Sequence, residues 1–447
     1  MNIQLSEHFT YGKLLKFTFP SIVMMVFTSI YGVVDGVFVS NFAGSESFAA
    51  VNLIMPFLMI LGAIGFMLGT GGSALVAFIL GTGDGQKANR VFSLMVYVLI
   101  VLGGIFMVGG ILFMEPMARL LGADEAMLPV CVQYGRIVML GLIPFMLQNT
   151  FQSFLVTAER PQLGLYVTIA AGVTNIVLDA LFVAVLQWGV EGAALATILS
   201  QFVGGAIPLV YFLRPNSSKL RLGRTSFHGR ALLKACANGS SELMTNLSMS
   251  LVNILYNYQL LRFAGENGVA AYGVIMYAAF LFVAVFVGYA VGSAPIVSYH
   301  YGARNHAELN NLYSKSLRLI GVIAVVMTAL SMLVIPYVAR IFVGYDAELL
   351  ALTSHAFRVY ALNFFLMGFN VYGSSFFTAL GDGVTSALIS FLRTLLFQLL
   401  ALIFLPMVLG IEGVWLAVTA AEAGALCVTV LMFITKDKVF HYRKVPC

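Results

Sequence analysis

Apolar residues run almost unbroken along this chain, interrupted by short polar turns. A helix needs about 20 such residues to cross the hydrocarbon layer of a bilayer. Twelve stretches qualify, at roughly 14–39, 48–80, 91–114, 128–157, 162–186, 190–213, 236–262, 268–300, 314–338, 348–380, 383–409 and 412–434. A membrane β-barrel would show alternating segments of about ten residues instead. The pattern therefore predicts an all-α integral membrane protein of twelve transmembrane helices. Several stretches exceed the minimum, which predicts tilt, kinks or helix ends that protrude into water.

The two halves resemble each other. Phe42-Ala43-Gly44 recurs 221 residues later as Phe263-Ala264-Gly265. The same offset relates Gly81 to Gly302, Ser93 to Ser314, Ala118-Arg119 to Ala339-Arg340, and Gly189-Val190-Glu191-Gly192 to Gly410-Ile411-Glu412-Gly413. Each half holds six spans, an even number, so both insert the same way up. That is a parallel repeat about an axis along the membrane normal. It divides the chain into a first lobe at 1–213, an inter-lobe loop at 214–235 rich in Arg, Ser and Gly, and a second lobe with its tail at 236–447. Two such lobes enclose a central cavity, and rocking them exposes it to each side in turn, the usual architecture of a secondary transporter.

Composition excludes the soluble alternatives. Hydrophobic residues make up 60% of the chain and charged residues 10%, where soluble domains carry about 25% charged residues. Soluble enzymes, nucleic-acid binders and disordered scaffolds are ruled out. With the N-terminus placed inside, 18 of the 24 basic residues fall in inner loops and tails, Lys444 among them. Only Arg119, Arg262 and Arg340 fall outside, and Arg136, Arg358 and Arg393 lie within spans. This bias predicts cytoplasmic termini, and it explains the net charge of +5 without an acidic partner.

Cys131, Cys236, Cys427 and Cys447 have no metal or disulfide spacing. Neither GxxxxGK[ST] nor HExxH occurs. No cofactor and no resident metal are expected, and the driving force must be an ion gradient.

Ionisable groups inside a span are costly and mark function by default. Asp35 lies near the outer end of span one and Asp179 in the outer half of span five. Asn175 shares a helix face with Asp179, and Thr197 in span six lies at similar depth. Two buried carboxylates close together cannot both stay ionised cheaply: a proton or a Na⁺ ion must sit with them. The bland alternative is a solvated Asp35 at headgroup level and an Asp179 that only bonds neighbouring helices; their common depth argues against it. Glu242, early in span seven, is a secondary candidate. Glu422 and Arg393 share one depth and are expected to pair. Gln201 is the repeat counterpart of Glu422, and Arg136 and Arg358 read as structural. Pro20 is expected to bend span one, the helix that carries Asp35.

With these motifs the chain resembles the multidrug and toxic compound extrusion (MATE) family, of bacterial and archaeal type. The likeness covers about 10–435 and rests on Tyr31-Gly32-Val33-Val34-Asp35-Gly36-Val37-Phe38-Val39 with Gly44, on Asn175-Ile176-Val177-Leu178-Asp179-Ala180-Leu181-Phe182, and on the paired Gly-X-Glu-Gly-X-X-X-Ala segments at 189–196 and 410–417. The resemblance implies V-shaped lobes that export lipophilic, mostly cationic compounds in exchange for H⁺ or Na⁺. It implies that Asp35 and Asp179 couple to the cation, with Asn175, Thr197 and Asn149 as neighbours and Pro20 as the bend. One sodium-coupled branch also uses acids on helices seven and ten. Glu242 matches the first, but no Asp or Glu lies between Glu348 and Asp382. The expected setting is the plasma (inner) membrane, as a monomer whose partners are the lipid bilayer and small lipophilic or cationic compounds. A lipid-linked oligosaccharide flippase of the same superfamily is the nearest alternative. An intramembrane prenyl transferase is disfavoured, because the inner loops hold only isolated acids such as Asp84, Glu159, Glu308 and Asp382.

Overall fold

The computed structural model describes residues 3–42 and 45–443, with side chains except at 40–41 and 45–49. Ala43, Gly44, Lys444 and Cys447 lie outside these. The described residues form helices and turns, with no strand. In chain order the spans are α1 (Tyr11–Phe42), α2 (Ser45–Gly81), α3 (Gly85–Leu112), α4 (Leu128–Leu140 continuing as Leu142–Thr157), α5 (Pro161–Asp179 with a π-helical turn, Ala180–Val185) and α6 (Gly189–Leu213). Then come α7 (229–264), α8 (266–302), α9 (His306–Val343), α10 (Ala347–Ala361 continuing as Phe364–Ala379), α11 (Gly383–Phe391, a π-helical turn at Leu392–Leu396, and Phe397–Leu409) and α12 (Ile411–Thr435). The helices α4 and α10 bend by 54° and 46° at corresponding places in the repeat.

α7 and α8 adjoin without a loop, yet they are two spans. Gly265 between them has φ 61° and ψ −152°, a conformation that glycine adopts without penalty. Tyr256 and Tyr272 stack across the break with ring centroids 4.7 Å apart. A straight helix would separate them by about 24 Å, so the chain reverses at Gly265. The helix α7 begins at Gly229, seven residues before the apolar stretch that announced it. Its first turns are polar and lie at the membrane face, where Lys234 rests over the Phe78 ring of α2.

The repeat has a physical basis at its best-matched motif. Gly189 and Gly410 hold φ 58° and 59° and start α6 and α12 in the same way. A Cβ on Gly192 would press on the backbone of Phe182, and one on Gly413 would overlap that of Leu405. The glutamate between the glycines reaches sideways, Glu191 to Gln133 of α4 and Glu412 to His355 of α10. Two of the isolated loop acids cap helices, Asp84 at α3 and Asp382 at α11, and Asn305, the repeat counterpart of Asp84, caps α9.

Two apolar cores correspond to two lobes. One gathers buried residues between Val39 and Ala235, and the other between Val252 and Tyr442. The second core also takes in Leu5, Phe9, Leu14 and Phe17. The N-terminal segment thus crosses between lobes. Leu5 N–H donates to Glu159 of the first lobe at 2.8 Å. Phe9 N–H donates to Glu308 of the second at 2.9 Å, and His8 Nδ1 lies 2.6 Å from the same carboxylate. Asn310 meanwhile donates to the backbone of Tyr442 and Arg443. Both ends of the described chain therefore lie on one membrane face, called here the terminal face.

The lobes meet most tightly near that face. A Cβ on Gly239 of α7 would overlap the carbonyl oxygen of Met67 in α2, and one on Gly302 of α8 would overlap that of Phe78. On the other half of α1, a Cβ on Gly36 would have only the Tyr277 hydroxyl within 4 Å, at 3.8 Å, and one on Gly32 nothing. The lobes touch backbone to backbone at the terminal face and part toward the opposite one.

Candidate functional site

Two helices of the first lobe bring the predicted polar groups together. α1 carries Asp35 about two turns from its end, and α5 carries Asn175 and Asp179 one turn apart on its buried face. The Asp35 carboxyl faces both Asp179 and Asn175. Asp179 is fully buried and Asn175 is 2% exposed. Asp179 ends the regular part of α5, where the helix widens into its π turn. Such single turns recur at functional sites.

The hydrogen-bond accounting of this cluster is one-sided. Asp35 Oδ1, both oxygens of Asp179 and Asn175 Oδ1 are all buried, and all lack a protein donor. Buried polar atoms are almost always paired, because leaving one unpaired costs about 1–3 kcal/mol. Four orphaned acceptors at one spot are chemically specific. They ask for a species that supplies only positive character: a proton shared by the carboxyls, or a small cation with oxygen ligands. Among the described residues there is no cluster of three or more His, Cys, Asp or Glu side chains. The donor set here is two carboxylates and an amide oxygen, which suits a proton or a hard monovalent ion.

Further first-lobe residues, unforeseen as members of the site, pack around its helices. Tyr31, one turn before Asp35, accepts from Gln148 Nε2 of α4 at 3.5 Å. Tyr134 of α4 is buried within electrostatic reach of both carboxyls. Gln201 of α6 is packed against Gly141, and its Oε1 is a further buried acceptor without a donor. Gly172 leaves room for the rings of Phe27 and Tyr31 against α5. Of the expected neighbours, Asn175 is in place. Thr197 and Asn149 make no hydrogen bond to either carboxyl; Asn149 Nδ2 is buried and unpaired one helix away. Pro20 is inside α1, buried, 15 residues before Asp35.

The second lobe has no copy of this cluster. At the offset of 221, Asp35, Asn175, Asp179 and Thr197 correspond to Tyr256, Leu396, Leu400 and Val418. Several of its polar groups instead pair with one another. Glu422 accepts from Asn370 Nδ2 at 2.7 Å, and Asn370 Oδ1 accepts from Thr429 at 2.8 Å. Arg393, within the π turn of α11, approaches Glu422 at 3.8 Å. The expected Arg393–Glu422 pair is present as a long contact, secondary to Asn370. Glu242 of α7 is the next charge around Arg393. Asn370 and Glu422 are themselves the repeat counterparts of Asn149 and Gln201. The polar scaffold is thus shared, and the carboxylate pair is confined to the first lobe.

The MatE family profile matches residues 20–181 and 243–403, one match in each lobe. The chain belongs to the MATE family. Among its relatives is the multidrug export protein MepA of Staphylococcus saprophyticus, 22% identical over 431 residues, a match that covers 95% of this chain and 94% of that one. Among solved structures, an outward-facing multidrug resistance MATE transporter superposes with a TM-score of 0.92 at 25% identity, covering 98% of both chains. A MATE structure in a straight conformation gives 0.91 at 25% identity, over 97% of this chain and 98% of that one. MATE structures have twelve helices in two lobes, which is the arrangement found here. This MATE chain is accordingly a multi-pass membrane protein of a multidrug efflux family.

Proposed function

We propose that this protein is a secondary active antiporter of the plasma membrane, with cytoplasmic termini. It works as a monomer and exports lipophilic, mostly cationic compounds in exchange for H⁺ or Na⁺. The observation that carries this reading is the set of four orphaned acceptor oxygens on Asp35, Asn175 and Asp179. A proton or Na⁺ entering from the open side pairs them and removes the electrostatic cost of holding two carboxylates together. Its arrival draws α1 toward α5, and Pro20 is where α1 yields, because proline lacks the N–H that would tie that turn to the one before. The lobes then part at the terminal face and the ion leaves inward. An ion moving down a membrane potential supplies about 2.3 kcal/mol per charge per 100 mV, enough for an appreciable drug gradient. The relatives' printed role in multidrug export and the basic terminal face support the direction of transport.

The test is uptake of a fluorescent organic cation into inverted membrane vesicles under imposed ΔpH or ΔNa⁺. Uptake driven by one gradient, and absent in Asp179→Asn, is the expected result. Uptake that ignores both gradients would refute antiport. Transport of a lipid-linked oligosaccharide in place of the cation would move the protein to the flippase branch.

A further inference from the structure

A cavity of about 310 Å³ lies at the terminal-face ends of α1, α5 and α6, away from the carboxylate pair. Its wall includes Lys16, Phe17 and Pro20 of α1, Arg160 at the start of α5, Tyr166 of α5 and Tyr211 of α6. Glu159 also borders it, but Lys219 neutralises that carboxylate at 2.7 Å. Lys16 has no ion pair or hydrogen bond among the described residues, and Arg160 uses only one of its nitrogens, Nη2, on Ser217. The cavity is therefore net cationic. Two further features point to an anion. The Tyr211 hydroxyl is buried beside it without a partner. The α5 helix begins at Pro161 with no side-chain cap, which leaves its first N–H groups free for an acceptor.

The surroundings say what kind of anion. Around the mouth, Phe19 and Tyr166 are 62% and 65% exposed, and Leu15 and Leu213 are exposed too. In a spanning protein this surface faces acyl chains, and the cavity sits within about two and a half turns of the helix ends, at headgroup depth. An occupant needs a compact negative head and an apolar tail. We propose that this cavity is a binding site for the phosphate-bearing headgroup of an anionic phospholipid in the leaflet of the terminal face. The phosphate sits between Lys16 and Arg160 and accepts from Tyr211 and the start of α5, while an acyl chain lies along Phe19 and Tyr166. Because Pro20 forms part of the wall, the lipid packs against the turn at which α1 yields and favours one course of that helix over another.

The experiment uses the full-length protein with Tyr166→Trp, reconstituted in vesicles containing brominated lipid, which quenches a nearby indole. The parent without this change supplies the background from Trp188 and Trp415, which lie at the opposite face. A basic residue near an anionic headgroup is worth about fivefold in affinity. Brominated phosphatidylglycerol should therefore quench at mole fractions well over tenfold below those needed with brominated phosphatidylcholine. Lys16→Gln should reduce that preference about fivefold. Lys16→Glu, an exposed change that leaves the fold intact, should abolish it, as should Lys16→Gln with Arg160→Gln. Equal quenching by the two lipids, or a preference that survives Lys16→Glu, would overturn the proposal. So would complete displacement of the lipid by millimolar inorganic phosphate, which would assign the cavity to a free anion.

Discussion

The seam between the lobes can be wedged open with a single methyl group. Gly239 of α7 meets Met67 of α2 so closely that a Cβ would overlap backbone, not the flexible end of a side chain. Overpacking costs about 1–3 kcal/mol, and rigid backbone places this site toward the upper end. Alanine's advantage of about 1 kcal/mol over glycine inside a helix is the same in both conformations and cancels between them. The overpacking cost, about 2–3 kcal/mol, falls only on the conformation in which α2 and α7 touch. It shifts the balance toward the terminal-open state by roughly 30- to 150-fold. Cys236 is a built-in reporter, because it lies between Ala235, whose carbonyl meets Gly71, and Ala237, whose carbonyl meets Gly383. In a background with Cys131, Cys427 and Cys447 replaced by Ser, a membrane-impermeant maleimide applied to the terminal face should label Cys236 correspondingly faster in Gly239→Ala. Gly104→Ala is the control, since a Cβ there has nothing within 4 Å. Equal labelling in the two variants would refute the claim that this contact holds the terminal face shut.

Other expectations follow from the same geometry. Pro20→Ala restores a backbone donor within α1 and should slow transport severalfold at unchanged expression; a wild-type rate would leave Pro20 a static kink. Glu308→Gln weakens the hold on the N-terminal segment, which rests on Phe9 N–H, His8 and Asn311, and should lower thermal stability by about 1–3 kcal/mol and speed proteolysis before Tyr11. An unchanged cleavage rate would show that the segment is not held there. For Asp382, in the turn between α10 and α11, burial opposes the charge, but Lys436 at 2.7 Å and the Thr385 hydroxyl and N–H outweigh it and hold the carboxyl below its ordinary value. A depressed carboxyl stabilises the fold above its unfolded value and loses that contribution as pH falls through the folded one. Wild type should therefore melt above Asp382→Asn near pH 7, with the gap closing at strongly acidic pH; a gap independent of pH would contradict the pairing.

The spans were legible because a bilayer imposes one length on every helix and tolerates few charges within it. Asp35, Asn175 and Asp179 were legible for the same reason: their cost is visible one residue at a time, and the i,i+4 spacing of Asn175 and Asp179 fixes their common face. Tyr31, Tyr134, Gln148 and Gln201 were not, because nothing along the chain tells which helices meet. Gln201 had been noted only as a counterpart of Glu422, and the Tyr31–Gln148 contact is 117 residues apart in sequence. Thr197 rests on depth and likeness and Asn149 on likeness alone, and neither determines which way a side chain points. The inter-lobe role of residues 3–10 was hidden in a polar tail, where only Ile3, Leu5 and Phe9 signal burial. The Gly-X-Glu-Gly pair announced the repeat, but its use became clear only with the left-handed turn at Gly189 and Gly410 in view.

The central claim is that the carboxylate pair of the first lobe carries the coupling ion. The direct measurement is ion counterflow in proteoliposomes: a substrate gradient is imposed on the purified protein and the internal pH and Na⁺ are followed. The account predicts that downhill substrate movement drives one of these ions uphill in the wild type. It predicts no such counterflow in Asp35→Asn or Asp179→Asn, although both variants still bind substrate. Counterflow at the wild-type rate in both variants would contradict it.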